Sequence, residues 1–190
     1  MAELRNIFKQ AILINLDKRQ DRLERFDKQA KALGIDYERF QAIESSDPVL
    51  GCKLSHVAAL MKCKGDSVFI FEDDAVFVDI FQEELKKSLA VLPDDWDMVY
   101  LGAHILQTQV VNDRWRRSTE CSSTHAYLVR ASAIPRLVET AISHKGHVDV
   151  AYSTLHKDLK AYIARPTLVS QEPGFSDIQK VEVNYDYLYF

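Results

Sequence analysis

Val68-Phe69-Ile70-Phe71-Glu72-Asp73-Asp74 is the stretch on which the reading of the fold turns. Four consecutive apolar residues predict a short strand buried on both faces, because a half-buried strand alternates apolar with polar. The abrupt change to three acids predicts that the strand ends at solvent. A second run, Ala11-Ile12-Leu13-Ile14, has the same character and ends at Asn15-Leu16-Asp17. Between the two runs, Leu23, Phe26, Ala30 and Leu33 fall on one helical face, and Gly34 stands where a left-handed C-terminal cap is expected.

The alternation continues outward. Tyr37 to Ile43 reads as a strand, and Leu54, Val57, Ala58 and Met61 form a helical face. Phe81, Leu85, Leu89 and Leu92 line a helix that Pro93 stops. Strands are expected at 98–101, 126–129 and 161–164, and helices over 134–142 and 150–159. Residues 104–123 look irregular and carry the dense basic cluster Arg114-Trp115-Arg116-Arg117. The tail from Val183 to Phe190 is aromatic and acidic without a period. Strands alternating with helices imply an α/β fold with a central, largely parallel sheet flanked by helices. Ligands of such sheets sit outside the carboxyl ends of the strands, where Asn15, Asp17 and the three acids lie.

Composition narrows the function classes. The chain has 190 residues, 47% hydrophobic and 27% charged, which suits one globular domain over 1–190. Lys and Arg number 24 against 28 Asp and Glu, a net charge of −4, so no overall basic field draws it to nucleic acid. Cys52, Cys63 and Cys121 are odd in number and lack CxxC spacing, which argues against a disulfide framework and a cysteine zinc site. No apolar run approaches the roughly 20 residues of a membrane span. The opening residues lack the apolar stretch of a secretory signal. A cytoplasmic protein with no transmembrane segment is expected.

Three adjacent carboxylates at the end of a buried strand repel one another and lose hydration. A hard divalent cation such as Mn²⁺ or Mg²⁺ relieves both costs and brings phosphate with it. A solvated turn favouring the start of the next helix explains the acids equally well. The triplet alone does not separate a glycosyltransferase from a nucleotidyltransferase or a metal-dependent hydrolase.

Five ordered blocks add a resemblance. Ile14-Asn15-Leu16-Asp17-Lys18-Arg19-Gln20-Asp21-Arg22, Gly51-Cys52-Lys53-Leu54-Ser55-His56, Phe71-Glu72-Asp73-Asp74, Asp95-Trp96-Asp97-Met98-Val99-Tyr100-Leu101-Gly102 and Thr124-His125-Ala126-Tyr127 resemble the motifs of glycosyltransferase family 25. That family includes lipooligosaccharide and collagen galactosyltransferases. The resemblance implies a GT-A type, Rossmann-like fold and inverting transfer from a UDP-sugar, usually UDP-galactose, to a glycan, lipooligosaccharide or protein-linked acceptor.

On that resemblance, Glu72 and Asp74 are the expected metal ligands, with Asp73 serving ribose or metal. Asn15, Leu16 and Asp17 are expected to hold the uridine end of the donor. Arg19 and Arg22 are expected near phosphate, where guanidinium pairs well with oxyanions. Ser55 and His56, read as lying near a helix start, are candidates for anion binding. Gln171 and Ser176 are expected to close over the pyrophosphate or complete the metal shell. His125 and Trp115 are the candidate acceptor contacts, Trp115 by stacking on a sugar. Asp149 is either a helix N-cap or the general base that an inverting transfer needs, with Asp97 and Asp177 as alternatives.

Two further function classes stay open. A catalytically silent GT-A-like module would bind glycan or a partner without turnover. A nucleotidyltransferase would carry a glycine-rich phosphate loop after the first strand, and residues 15–22 hold no glycine.

Overall fold

The computed structural model describes residues 9–185. The first strand, β1 (Ala11–Asn15), is followed by α1 (Gln20–Leu33), β2 (Glu38–Gln41), α2 (Pro48–Leu60) and β3 (Ser67–Glu72). Next come β4 (Ala75–Phe77), α3 (Phe81–Leu89), β5 (Met98–Tyr100), β6 (His104–Val110) and β7 (Trp115–Ser122). Then follow β8 (Ala126–Arg130), a 3₁₀ turn, α4 (Ile134–Ser143), α5 (Val148–Ser153) and β9 (Ala161–Ala164). The described residues finish with three short strands, β10 (Val169–Gln171), β11 (Gly174–Phe175) and β12 (Glu182–Val183).

Eight strands form one sheet in the order β2-β1-β3-β8-β5-β9-β7-β6. The pairings run β1 parallel to β2 and β3, and β5 parallel to β9, while β8 opposes both β3 and β5. The hairpin β6–β7 joins antiparallel to β9 through β7. Six of the eight strands therefore point one way, with β7 and β8 reversed. This is a mixed, largely parallel sheet, as the alternation of strands and helices implied.

The strand pleat explains the continuous apolar runs. Ile12, Ile14, Val68 and Ile70 face one layer with α2 and α4, through Val57, Leu60 and Leu137. Leu13, Phe69 and Phe71 face the other, against Phe26 of α1 and Phe81 and Leu85 of α3. Both faces are covered, so no position in those runs tolerates a polar side chain.

Several expected boundaries shift. The helix carrying Ser55 and His56 begins at Pro48, capped by Asp47, whose carboxylate accepts from the backbone N–H groups of Val49 and Leu50. Both residues therefore sit inside the helix, where their N–H groups are spent on the helical ladder. The helix after His147 ends at Ser153, well short of Leu159. Its N-cap is His147, which places Asp149 in the first turn and not at the cap. Residues 104–122 form an antiparallel hairpin, irregular only where its register shifts between Ile105 and Thr108. Of the tail, 186–190 lie outside the described residues.

Gly34 ends α1 with φ 64°, the left-handed conformation that the cap reading requires. Gly102 follows β5 for a different reason. A Cβ there would lie 1.9 Å from the Val169 carbonyl oxygen and 3.0 Å from Nε2 of His125. Substituting Gly102→Ala is expected to cost about 1–3 kcal/mol by forcing β10 away from β5. Denaturant unfolding reads it as a lowered midpoint, and an unchanged midpoint would contradict the close approach.

Candidate active site

The parallel register of β1 and β3 aligns Ile14 with Glu72, so the two strands end side by side. Antiparallel β8 starts at this same end, because Ala126 pairs with Phe71. Thr124 and His125 thereby arrive beside Glu72, whose N–H donates to the His125 carbonyl at 2.8 Å. β10 returns antiparallel to β4 and sets Gln171 opposite Ala75. Together with α2, α5 and the 176–185 segment, these ends enclose a cleft of about 490 Å³.

The three acids receive different environments. Glu72 accepts from the Thr124 hydroxyl at 2.8 Å and lies 3.2 Å from Nε2 of His56. Burial pushes the Glu72 carboxyl up, but His56 and Thr124 outweigh it and hold the group below its ordinary value. Asp73 accepts from the Asn15 carboxamide at 2.7 Å and from Arg22 at 3.0 Å. Burial still wins there and raises it. Asp74 reaches Arg22 at only 3.4 Å and the Gln171 amide at 3.5 Å, and its Oδ1 is buried with no hydrogen-bond partner. Burial and the neighbouring Glu72 charge push Asp74 up to about 7 against the pull of Arg22. The side chains of Arg22, Asp73 and Asp74 are only 12%, 10% and 14% exposed, so these interactions are weakly screened.

An unpartnered, buried carboxylate oxygen with a raised pKa fits a cation ligand. Among the described residues no group of three or more His, Cys, Asp or Glu is disposed to hold a metal ion. Mg²⁺ and its kin are commonly held by one or two carboxylates, with substrate phosphate and water filling the remaining positions. Asp74, with Glu72 beside it, meets that smaller requirement.

Asp149 lines the same cleft, and its Oδ2 accepts from the Ser123 N–H at 3.0 Å. Ser123 in turn donates from its hydroxyl to Gln171 at 3.0 Å. Asp149, Gln171, Ser176, Leu16, Ser55 and His56 all border the cleft, as do Arg22 and the three acids.

Several expected residues are committed to partners within the protein. Asn15 is fully buried: its carboxamide donates to Asp73 and to the Arg19 carbonyl, and it accepts from Arg39 at 2.9 Å. It braces Asp73. Asp17 is held by Arg39 at 2.6 Å and by Gln41. Arg19 is committed to Asp21 and to Asp177, the latter at 2.7 Å. The Ser55 hydroxyl donates to the Gly51 carbonyl and accepts from the Ile43 N–H, a backbone task.

Two expectations are corrected outright. Trp115 is 0% exposed, packs with the Phe81 and Leu85 layer, and donates Nε1–H to the Ser88 carbonyl at 2.7 Å. It is a core residue and offers no face to a sugar. Its neighbour Arg114 pairs with Glu84. His125 is also 0% exposed and contacts the Val169 carbonyl at 2.8 Å through Nε2. Burial pulls it to about 4, so the ring is neutral and ties β10 to the sheet. Of the alternative bases, Asp97 accepts from the Lys160 N–H at the opposite end of β5, and Asp177 is paired with Arg19 and Lys18. Thr124 and Ser123 carried no role in the sequence reading. Their position just before β8 was the available signal.

Comparison with known proteins adds the following. No protein-family model matches the chain. It is 26% identical over 155 residues to a glycosyltransferase 25 family member of Anopheles gambiae, covering 63% of this chain and 24% of that protein. It is 29% identical over 134 residues to procollagen galactosyltransferase 1-A of Xenopus laevis, covering 53% of this chain and 22% of that one. The chain thus spans less than a quarter of the length of these curated relatives. The family resemblance read from the motifs agrees with their names. Among solved structures, A197 from STIV superposes with a TM-score of 0.52 at 13% identity, over 92% of this chain and 93% of that one. UDP-glucose pyrophosphorylase complexed with UDP-glucose gives 0.52 at 9% identity, over 86% and 74%. At those identities the likeness is one of fold, the GT-A type α/β fold.

The raised Asp74 has a stability consequence. A carboxyl whose folded pKa lies above its unfolded one destabilises the fold once pH rises past the unfolded value, and fully above the folded one. Asp74→Asn, a neutral mimic, is therefore expected to raise the melting temperature near about pH 8 and to leave it unchanged near about pH 4. Each kcal/mol gained corresponds to about 2–4 °C in a chain of this size. An equal effect at both pH values would remove the buried-charge account.

Proposed function

We propose that the chain is an inverting, metal-assisted glycosyltransferase that moves a hexose, galactose first among them, from a UDP-sugar to an acceptor hydroxyl. The acceptor class is a glycan, lipooligosaccharide or protein-linked hydroxyl. The observation that carries this reading is one cleft with an unpartnered Asp74 oxygen on one wall and the Asp149 carboxylate on another. The names of the curated relatives support the donor chemistry.

In this reading Asp74 and Glu72 hold a divalent cation, which supplies charge neutralisation for the departing diphosphate. Arg22 is within reach of the same phosphates from the start of α1. Leu16, Ala42 and Ile43 form an apolar wall suited to the nucleoside. Asp149 accepts the proton of the acceptor hydroxyl as its oxygen bonds to the anomeric carbon. The bond from that carbon to the phosphate oxygen breaks, and its electron pair leaves with UDP. Ser123 fixes the Asp149 carboxylate through the backbone N–H. A cytoplasmic location accords with Cys52, Cys63 and Cys121 being free of disulfides. No helix among the described residues is long and apolar enough to cross a membrane.

One observation favours a second reading, a binding module without turnover. Arg22 already pairs with Asp73 and Asp74, and His56 stands against Glu72, so each acid has an internal counter-group. A panel of nucleotide sugars with Mn²⁺, followed by nucleotide release, separates the two. UDP release from UDP-galactose or another UDP-hexose is expected. UDP binding without release from any donor would favour the module. Asp149→Asn is expected to lower transfer about 10²- to 10⁴-fold while leaving calorimetric UDP affinity unchanged.

A further inference from the structure

With His125 and Trp115 buried in the core, the acceptor needs another seat. The cleft wall around Asp149 differs from the wall around the acids. It is formed by His104 at the start of β6, Ser122 and Ser123 at the end of β7, His147 at the start of α5, and Tyr185 after β12. The rings of His104 and Tyr185 lie 5.0 Å apart at 53° and form a two-ring corner. Burial lowers the pKa of His104 although Asp149 pulls the other way, so the imidazole is neutral near neutral pH. Two aromatic rings with polar tips, two hydroxyl-bearing serines and a carboxylate match the mixed surface of a pyranose. One sugar face presents C–H groups, and its rim presents hydroxyls.

We propose that this wall is the acceptor subsite and that it takes a neutral pyranose, stacked against the His104–Tyr185 corner with one hydroxyl directed at Asp149. The assignment rests on the glycosyltransferase reading above only for what the hydroxyl then does: it loses its proton to Asp149 as its oxygen bonds to the donor's anomeric carbon. An acidic sugar would meet the Asp149 charge, and among the described residues Lys180, on the turn after Ser176, is the one cleft-lining lysine or arginine outside the α1 entry that would offset it.

Saturation-transfer NMR on the full chain tests the subsite with methyl β-glucopyranoside, methyl β-galactopyranoside and methyl β-glucuronide as probes, with and without UDP and Mn²⁺. The neutral glycosides are expected to show ring-proton saturation stronger than the glucuronide. His104→Ala and Tyr185→Ala are each expected to reduce that signal about 5- to 10-fold, whereas His104→Phe keeps the ring and retains it. If His104→Ala unfolds, Tyr185→Ala decides, because that residue follows the last strand. No signal from the neutral glycosides, a stronger signal from the glucuronide, or a signal that survives in the alanine variants would each overturn the proposal. Calorimetry with UDP and Mn²⁺ on the same samples is a separate readout. Its failure counts against the donor reading and leaves the glycoside result to stand or fall on its own.

Discussion

One guanidinium holds the functional end of the sheet together. Arg22 lies 3.0 Å from Asp73 and 3.4 Å from Asp74, and its other nitrogen donates to the Phe175 carbonyl at 2.9 Å. Without it, β3 would end in adjacent, mostly buried carboxylates with no positive charge beside two of them. Removing one partner of such a buried cluster typically costs about 3–5 kcal/mol, because the remaining charges lose their compensation. The same side chain fixes α1 against β3 and anchors the 174–183 hairpin over the cleft. Charge compensation and the shape of the site are thus one interaction.

That single cation is shared unequally, and the inequality drives the three carboxyls apart. Glu72 has its own support in His56 and Thr124, and its carboxyl is held down. Asp74 shares the same Arg22 nitrogen as Asp73 at the longer distance of 3.4 Å and is pushed up to about 7. Neighbouring carboxyls driven apart in this way mark positions with different duties. The reversal of β8 is the topological cause. Were β8 parallel to β3, its start would lie at the other end of the sheet, and neither Thr124 nor Ser123 would reach Glu72 or Asp149.

The parts of this arrangement that a sequence displays are those set by local pattern. β1 and β3 are legible because burial on both faces demands unbroken apolar runs, and the acids after β3 are legible because the change from apolar to charged is abrupt. The β6–β7 hairpin is not legible, since most of its outward positions are polar and its register shifts between Ile105 and Thr108. Trp115 misleads for the same reason. Its basic neighbours suggest a surface, but the pleat turns Trp115 into the core and puts the half-buried Arg116 on the opposite face of the sheet. Ser55 and His56 mislead because the apolar face begins at Leu54, whereas Asp47 and Pro48 start the helix earlier. Which residue neutralises which acid depends on contacts such as Arg22 with Asp73, 51 positions apart, and no local pattern encodes it.

The two walls of the cleft are built from different material, and this bears on how such a site can change. Asn15, Arg22, Asp73 and Asp74 belong to β1, α1 and the end of β3, where neighbouring charges fix one another and a substitution in one strands the others. His104, Ser122 and Tyr185 belong to an edge hairpin and the segment after β12, none of which contributes a residue to that charge cluster. Substitutions on distant, unshared contacts combine nearly additively, while those within a charge network do not. The acid wall therefore resists change, while His104, Ser122 and Tyr185 can be altered without touching its charges; Ser123, which bonds to Gln171 and through it reaches Asp74, is the exception. On the proposed reading, an acid wall of fixed charge beside a separately adjustable Asp149 wall lets the acceptor side vary while the donor side stays constant.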